Sequence, residues 1–578
     1  MSKHEVLLSV AIDFGTTYSG YAFSTKGDFE IDPTKIYANE DWPAGNIGFS
    51  RKTPTVLLLD SNQEFVAFGF EAEQMYNQLA VDQEHEEYYY FRRFKMKLHG
   101  EKVVKNDLML EDETGKKVNA EKVFAESIRY LKQHFLKMLN NQGKVIDDSE
   151  IQYTLTVPAI WNDSSKQFMR NAAKKAGIDV KKLKIALEPE AAAFFCQYEK
   201  TKRNENTFAA AEIGTKYMVI DLGGGTVDIA LHQKLENGRI KELYQASGGP
   251  YGGTAVDEVY IQLLTRAFGG PMMYQFRKEN TYDFLDMMKE FEVAKRNLKP
   301  SGRLSFNTRL PYSFGLCCKE QNDETLAEIV SENNFPFKGN IKVIGDKLSI
   351  KADLMLQIFS TVTAKITDLI QEVLSQPVAE GCQILLLVGG FSESEYVQQA
   401  IKDKFETEER RVIVPAEAGL TVVKGATIFG HKKHLGIVTE RVIRYTYGIA
   451  TDTEFDAKQH NPEYKFRIRN KDFIHTFLSF MEKGTSVKEG TVIKKQYEFE
   501  EFTRGAGITI YSTTRDVKFI QEGGLEKLVR INVDKDAEKF FGKKVTIEVS
   551  YTFGDTELEI LVHCPQTGNS FRANVAKI

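Results

Sequence analysis

The chain has 578 residues, 42% of them hydrophobic and 27% charged, with a net charge of −5. It is too long for one hydrophobic core, so roughly three to five domains or subdomains are expected, with ordinary globular composition. The small negative charge and the lack of a basic block argue against a nucleic-acid-binding protein, and without an apolar stretch of about 18 residues no membrane span is expected.

In chain order, the apolar run Val6 to Ile12, read as a strand over Leu7 to Ile12, leads into Asp13-Phe14-Gly15-Thr16-Thr17-Tyr18. It is too short for a signal sequence, so secretion is not expected. Further strands are read at Tyr21 to Ser24 and Thr55 to Leu59. The stretch Tyr88 to His99 is basic and aromatic and holds Lys95 and Lys97. A lysine that reaches a terminal phosphate must come from a neighbouring element of this kind; the plain alternative is a solvated basic face.

Residues 121–141 carry Phe124, Ile128, Leu131, Phe135 and Leu139 at helical spacing. Ile151 to Val157 alternates as a strand and stops at Pro158. The next helix opens at Asn162-Asp163-Ser164-Ser165-Lys166-Gln167, with Ser164 and Gln167 at capping-box spacing, and ends at Gly177. Glu188 precedes Pro189 at the start of an alanine-rich helix. A carboxylate there is a catalytic or metal-positioning candidate, or simply a favourable charge at a helix N-terminus.

Tyr217 to Asp228 is the stretch around which the chain is organised: a buried strand ending in Asp221, then Gly223-Gly224-Gly225-Thr226, then Asp228. Three glycines permit a tight turn and close backbone approach to a ligand, and clustered N–H groups in such a turn suit phosphate oxygens. Two carboxylates beside phosphates are natural holders of a hydrated Mg²⁺; the bland reading is a hairpin with an acidic flank. The turn at Asp13 has the same strand–Asp–Gly–small-residue form. Two related turns imply two related half-domains that clamp one polyphosphate.

Further on, Leu285 to Leu298 reads as a helix with Glu292, Lys295 and Arg296 on one face, which alone suits an exposed salt-bridged surface. Residues 301–345 read as an irregular surface insertion. A helix at about 352–374 leads to the strand Ile384 to Val388 and the turn Gly389-Gly390, and a small-residue helix follows at Leu420 to Phe429. From about Leu435 short strands dominate: Val442 to Tyr447, Lys465 to Arg469, Gly507 to Tyr511, Val529 to Val533, Val545 to Tyr551 and Leu558 to His563. Gly554-Asp555 is a hairpin signal, and only Lys535 to Phe541 looks helical. The five cysteines fit neither a zinc pattern nor a disulfide framework, so a reducing compartment is expected, cytoplasmic with nuclear access left open.

The motifs Ile12 to Ser19, Thr156 to Ala159 with Asn162 to Ser164, Glu188-Pro189 with Ala191 to Ala193, Asp221 to Asp228, Glu292 with Ala294 to Arg296, and Val388 to Gly390 occur in one order. In that order the chain resembles the heat shock 70 kDa protein family, in particular its divergent 12A/12B-like branch, within the actin, sugar-kinase and heat-shock ATPase superfamily. The resemblance implies an α/β, actin-like, two-lobed nucleotide-binding domain of duplicated mixed-sheet subdomains over residues 1–435. A β-sandwich-like C-terminal module without a helical lid is implied over residues 436–578. It implies ATP/ADP and Mg²⁺ as cofactors. Gly15, Thr16, Thr17 and Tyr18 would wrap the phosphates from one lobe, and Gly223, Gly224, Gly225 and Thr226 from the other. Asp13 and Asp221 would hold waters of Mg²⁺, and Asp228 would place the attacking water or a monovalent cation such as K⁺. Glu188 joins that inner shell and Lys95 matches the catalytic lysine, with Lys97 as its rival. Glu292, Lys295 and Arg296 would meet ribose and adenine, with Gly389 and Gly390 behind them. Pro158 and Lys166 would relay nucleotide state, with lysine in place of the usual arginine.

Three departures temper this resemblance. Glu393 stands where an arginine usually stacks on the adenine. The apolar interdomain linker is replaced by Gly436 to Arg444, with Glu440, Arg441 and Arg444 among its apolar residues. The lid and the acidic tail that recruits co-chaperones are expected to be absent. The function expected is therefore a weak ATPase, ATP to ADP plus phosphate, coupled to a protein or peptide partner at the β module. The alternative is a nucleotide-gated recognition protein with little turnover, and a small-molecule kinase is the weakest reading.

Overall fold

The computed structural model describes the chain except residues 1–5, 41, 44–48, 101–103, 105–106, 145, 199–207, 209–210, 301–304, 333, 433–437, 469, 500–506, 534–541, 554–556 and 577–578. Two compact units divide the chain. The first comprises residues 1–161, 168–230 and 246–433; the second comprises 162–167, 231–245 and 434–578. The expected domain boundary, the expected helix Lys535 to Phe541 and the Gly554-Asp555 turn all lie outside the described residues.

In the first unit, strand Leu8–Phe14 is buried along its whole length. It pairs in parallel with Ile151–Val157 and antiparallel with Tyr18–Thr25. Being covered on both faces, it reads as a continuous apolar run rather than an alternation. Ile151–Val157 pairs in turn with Leu183–Leu187. Helix Ala120–Asn141 lays Phe124, Ile128, Leu131 and Phe135 into the core beneath this sheet. A second parallel group joins Lys216–Leu222 to Cys382–Val388, and that strand to Arg411–Ile413. Each of the strands Leu8–Phe14 and Lys216–Leu222 delivers an aspartate near its C-terminal end.

Helices Glu188–Tyr198 and Thr421–His431 pack closely because small residues face each other. A Cβ on Gly425 would strike the Ala191 carbonyl and come within 3.1 Å of the Ala191 Cα. Ser9 Oγ donates to the Thr427 carbonyl at 2.8 Å, tying the second helix to the first strand.

The described part of the region 301–345 is not irregular. It holds strand Phe306–Arg309, helices Tyr312–Asn322 and Leu326–Ser331, and strand Ile341–Ile344, with Lys347–Ile350 pairing with both strands. These elements are short, so no period repeats often enough to be read. The cap of helix Asp163–Lys175 is Asn162 rather than Ser164: its Oδ1 accepts from the Ser165 backbone N–H at 2.9 Å.

In the second unit, Val438–Val442 and Thr446–Glu454 are separate strands where one had been expected. Val438 and Glu440 pair in parallel with Ile240 and Lys241, and Lys241 Nζ meets Glu440 at 2.6 Å. On its other side Val438–Val442 pairs with Ser486–Lys488. The charges at Glu440 and Arg441 therefore stand on a strand with neighbours on both sides. A five-stranded antiparallel sheet runs Lys465–Ile468, Lys471–Met481, Thr446–Glu454, Gly507–Thr513, Glu526–Asn532. A four-stranded one runs Thr491–Phe499, Val545–Phe553, Glu557–Cys564, Asn569–Ala576. Ile449, Ile510, Ile547, Val549 and Ile560 share one core. Lys471–Met481, Thr491–Phe499 and Asn569–Ala576 escaped the sequence reading. In Lys471–Met481 only Ile474 and Met481 are fully buried, so its apolar residues do not alternate.

All five cysteines are buried free thiols. Among the described residues no helix is long and apolar enough to cross a membrane.

The Gly425–Ala191 contact sets an expected outcome. Gly425→Leu destabilises the fold by about 1–3 kcal/mol through overpacking, seen as a lower urea midpoint. An unchanged midpoint would mean that these helices are free to separate at little cost.

Candidate functional site

The first unit contains a cavity of about 770 Å³, a size suited to a nucleotide-sized ligand. Two backbone turns form its centre. In the first, Thr55 Oγ1 donates to the Gly15 carbonyl at 2.8 Å, and the Thr55 N–H donates to the Thr17 carbonyl at 2.8 Å. In the second, the Gly223 N–H donates to the Thr226 carbonyl at 3.0 Å, closing the turn. The N–H groups of Gly253 and Thr254, at the start of helix Gly253–Phe268, take the carbonyls of Gly223 and Gly224 at 3.1 and 2.8 Å. The two turns meet without space for side chains. A Cβ on Gly224 would overlap the Thr17 side chain, and one on Gly225 would fall 2.6 Å from Thr16 Oγ1.

Asp13, Asp221, Glu188 and Asp228 are all buried here. Asp13 accepts from Thr156 Oγ1 at 2.9 Å and from Lys52 Nζ at 2.6 Å. Burial pulls its carboxyl upward, but the Lys52 ammonium, Lys95 and the Thr156 hydroxyl together outweigh that and hold it below the ordinary carboxylate range. Glu188, the first residue of helix Glu188–Tyr198, accepts from Lys95 Nζ at 2.9 Å. Burial pushes Glu188 up to about 7 against the pull of Lys95, and the charges of Asp13 and Asp228 add to the rise. Burial, reinforced by Glu188, Asp228 and Asp13, raises Asp221 well above its ordinary value. Asp228 Oδ1 accepts from the Ile160 N–H at 2.8 Å.

The sequence-selected residues all line the cavity except Asp228, Pro158 and Lys166. Asp228 acts on it through its charge on Glu188 and Asp221. Of the two rival lysines, Lys95 is buried and lines the cavity, whereas Lys97 is exposed and does not.

Helix Thr281–Arg296 supplies Glu292, Lys295 and Arg296. Lys295 is drawn inward: its Nζ donates to Asp257 Oδ1 at 2.6 Å and to the Gly253 carbonyl at 3.1 Å, and it pairs with Glu292. Arg93 Nη2 takes the other oxygen of Asp257 at 2.5 Å. Arg296 donates from Nε to Glu292 at 2.8 Å and lies over the Tyr18 ring, 5.2 Å from its centroid. Gly389 has φ +85°, and a Cβ there would strike Asp221 Oδ1, so only glycine lets that carboxyl lie so close. Glu393 lines the cavity and accepts from the Gly419 N–H at 3.1 Å.

Sequence reasoning missed Arg51, Lys52, Asp257 and Glu417. Arg51 pairs with Glu417, and both line the cavity. Arg51-Lys52 sits in a short irregular stretch, where two adjacent basic residues carry no periodic signal. Asp257, an acid on an otherwise apolar helical face, was the readable clue.

The residues suit a polyphosphate with its counter-ion. Backbone turns crowd the cavity's centre, and ammonium groups and carboxyls stand beside them. Among the described residues no three of His, Cys, Asp or Glu gather closely enough to ligate a metal unaided. A divalent ion here would therefore need further ligands from phosphate and water.

The model of the Hsp70 protein family matches residues 89–479. The human heat shock 70 kDa protein 12B is 32% identical, the match covering 98% of this chain and 90% of that protein. The human heat shock 70 kDa protein 12A is 31% identical over 99% of this chain and 92% of its own length. Chaperone protein DnaK of Carsonella ruddii is 28% identical over 50% of this chain and 42% of its own.

Glu188 yields a pH prediction. Its folded value lies above its ordinary 4.5, so the folded state holds the proton more tightly than the unfolded chain. Its contribution to stability is therefore complete below pH 4.5 and is lost as pH rises through about 7. Glu188→Gln should remove this slope, shifting the parent-to-variant difference by about 1–3 kcal/mol between pH 5 and pH 8. Urea midpoints at the two pH values test it; parallel slopes in parent and variant would contradict the assignment.

Proposed function

The chain belongs to the Hsp70 family, on the branch of the 12A and 12B proteins, and from that premise we propose that it binds Mg²⁺-ATP and Mg²⁺-ADP in the first unit's cavity and hydrolyses ATP slowly. The observation that carries this reading is the approach of the two turns, Gly15 to Thr17 and Gly223 to Thr226, with no room for a side chain between them. Their backbone N–H groups and the hydroxyls of Thr16, Thr17 and Thr226 would bind the phosphates. When bound, Mg²⁺ would neutralise charge on the transferring phosphate and its leaving group. Lys95 would donate to the terminal phosphate from its position on Glu188. Glu188 and Asp228 would orient the attacking water, and a K⁺ ion would suit the same acidic surroundings. Glu292, Lys295 and Arg296 would flank ribose and base, with Gly389 and Gly390 behind. Arg296 is already stacked on Tyr18 and Glu393 replaces a stacking arginine, so the base would be held loosely.

The second unit is proposed to bind a protein or peptide, with Pro158 and Lys166 relaying nucleotide state to it. The five buried free thiols support a reducing location, the cytoplasm with the nucleus open to it. The burial of Glu188 favours the second reading, a nucleotide-gated recognition protein: it pushes the carboxyl up to about 7, which makes Glu188 a poor fixed charge for orienting water.

Two outcomes are expected. Gly224→Val places a side chain on Thr17 and weakens ADP binding by about a hundredfold in calorimetry. Affinity equal to the parent's would remove this cavity from consideration. Asp221→Asn should slow single-turnover ATP hydrolysis by about a hundredfold while changing ADP affinity less than about threefold, since charge placement matters most in the transition state. Equal losses in both would assign Asp221 to binding alone, and a parent without hydrolysis would select the recognition reading.

A further inference from the structure

Lys52 lines the cavity, and the scheme above gives it no task. It follows strand Phe49–Ser50 and precedes Thr53–Pro54, which pairs with Ser19 and Tyr18 at the edge of the first sheet. Its stem runs across Gly20, where a Cβ would come within 3.0 Å of the Lys52 Cγ. The backbone therefore aims this side chain, and glycine makes room for it. Its Nζ stands 2.6 Å from Asp13 Oδ2, while Thr156 occupies Asp13 Oδ1. Lys52 lines the cavity beside the two turns, its side chain only 20% exposed. Lys95, the other ammonium facing the acids, is likewise seated on a carboxylate at 2.9 Å.

An ammonium has three donors on a point charge, so it can keep one bond to a carboxylate while giving another to a phosphate oxygen. A lysine so placed does part of what a hydrated divalent cation does at the same spot: it bridges carboxylate and phosphate and cancels their repulsion. It also competes with a metal's water for Asp13 Oδ2.

We propose that Lys52 is a second phosphate-directed cation, a built-in substitute for part of the metal, so that a nucleoside diphosphate binds this cavity with little dependence on Mg²⁺. The inference rests on the nucleotide reading of the cavity. It concerns binding alone and involves no covalent step.

The test is calorimetry of ADP with the full chain, in excess Mg²⁺ and in EDTA. In the parent, affinity in EDTA should lie within about threefold of that in Mg²⁺, because the charge-assisted bond from Lys52 persists. Lys52→Met should lose about tenfold or more in EDTA and recover most of it in Mg²⁺, the metal now meeting an uncontested Asp13. Lys52→Arg, which keeps the charge, should resemble the parent in EDTA. A parent that binds ADP only with Mg²⁺ overturns the inference and leaves the nucleotide reading standing. So does a Lys52→Met variant with the parent's affinity in EDTA. A parent that binds ADP under neither condition ends both. Where Lys52→Met fails to fold, Lys52→Arg and the parent remain: a parent that needs Mg²⁺, or a Lys52→Arg variant that loses about tenfold in EDTA, overturns the inference.

Discussion

The closeness of two backbone turns is the constraint on which the first unit depends. Gly224 lies against Thr17 and Gly225 against Thr16, with less than a methyl group's space between. Such an approach survives only if each turn is fixed from behind. Thr55 fixes one through two hydrogen bonds to its carbonyls, and the start of helix Gly253–Phe268 fixes the other. The sheets serve this arrangement: each buried central strand supplies an aspartate near its end and a turn just beyond it.

The price of gathering acids in such a place is electrostatic. Asp13, Glu188, Asp221 and Asp228 are all withdrawn from water; Lys52 is paired directly with Asp13 and Lys95 with Glu188. The protein divides the load unequally. Lys52, with Lys95 and Thr156, keeps Asp13 charged, whereas Glu188 and Asp221 are driven toward their neutral forms by burial and by the charges of Asp13 and Asp228. A ligand that brings or removes positive charge therefore changes the protonation of the whole group. Lys295 and Arg93, which share Asp257, show the opposite solution on the other wall, where one buried acid is satisfied by two cations.

Much of this was legible because it follows from strong local signals. Long buried runs such as Leu8–Phe14 and Cys382–Val388 end in glycines, and helix Ala120–Asn141 repeats its apolar face over many turns. Lys95 could be proposed but not separated from Lys97, since burial decides between them and burial is a tertiary property. Lys52 was invisible for the same reason: nothing near it in sequence shows that Asp13, 39 positions away, is its partner. Strand Lys471–Met481 was missed because half-exposed residues on both faces erase the alternation by which strands are recognised, and Thr491–Phe499 because an apolar Val492 on its exposed face and a charged Lys495 on its half-buried face break that alternation. The segment 301–345 was misjudged because elements of four to eleven residues end before a period can form.

The buried thiols have a practical consequence. Cys196, Cys317, Cys318 and Cys382 lie in the first unit and Cys564 in the second, all inaccessible and none bridged. A thiol in such a place reacts with an alkylating reagent only when its surroundings open, so its labelling rate measures the free energy of that opening. The chain thus carries its own set of clocks, four in one unit and one in the other, without an engineered probe. Labelling resolved by peptide would distinguish breathing of the strand that holds Cys382 from that of the helix that holds Cys317 and Cys318, and both from opening of the sheet around Cys564.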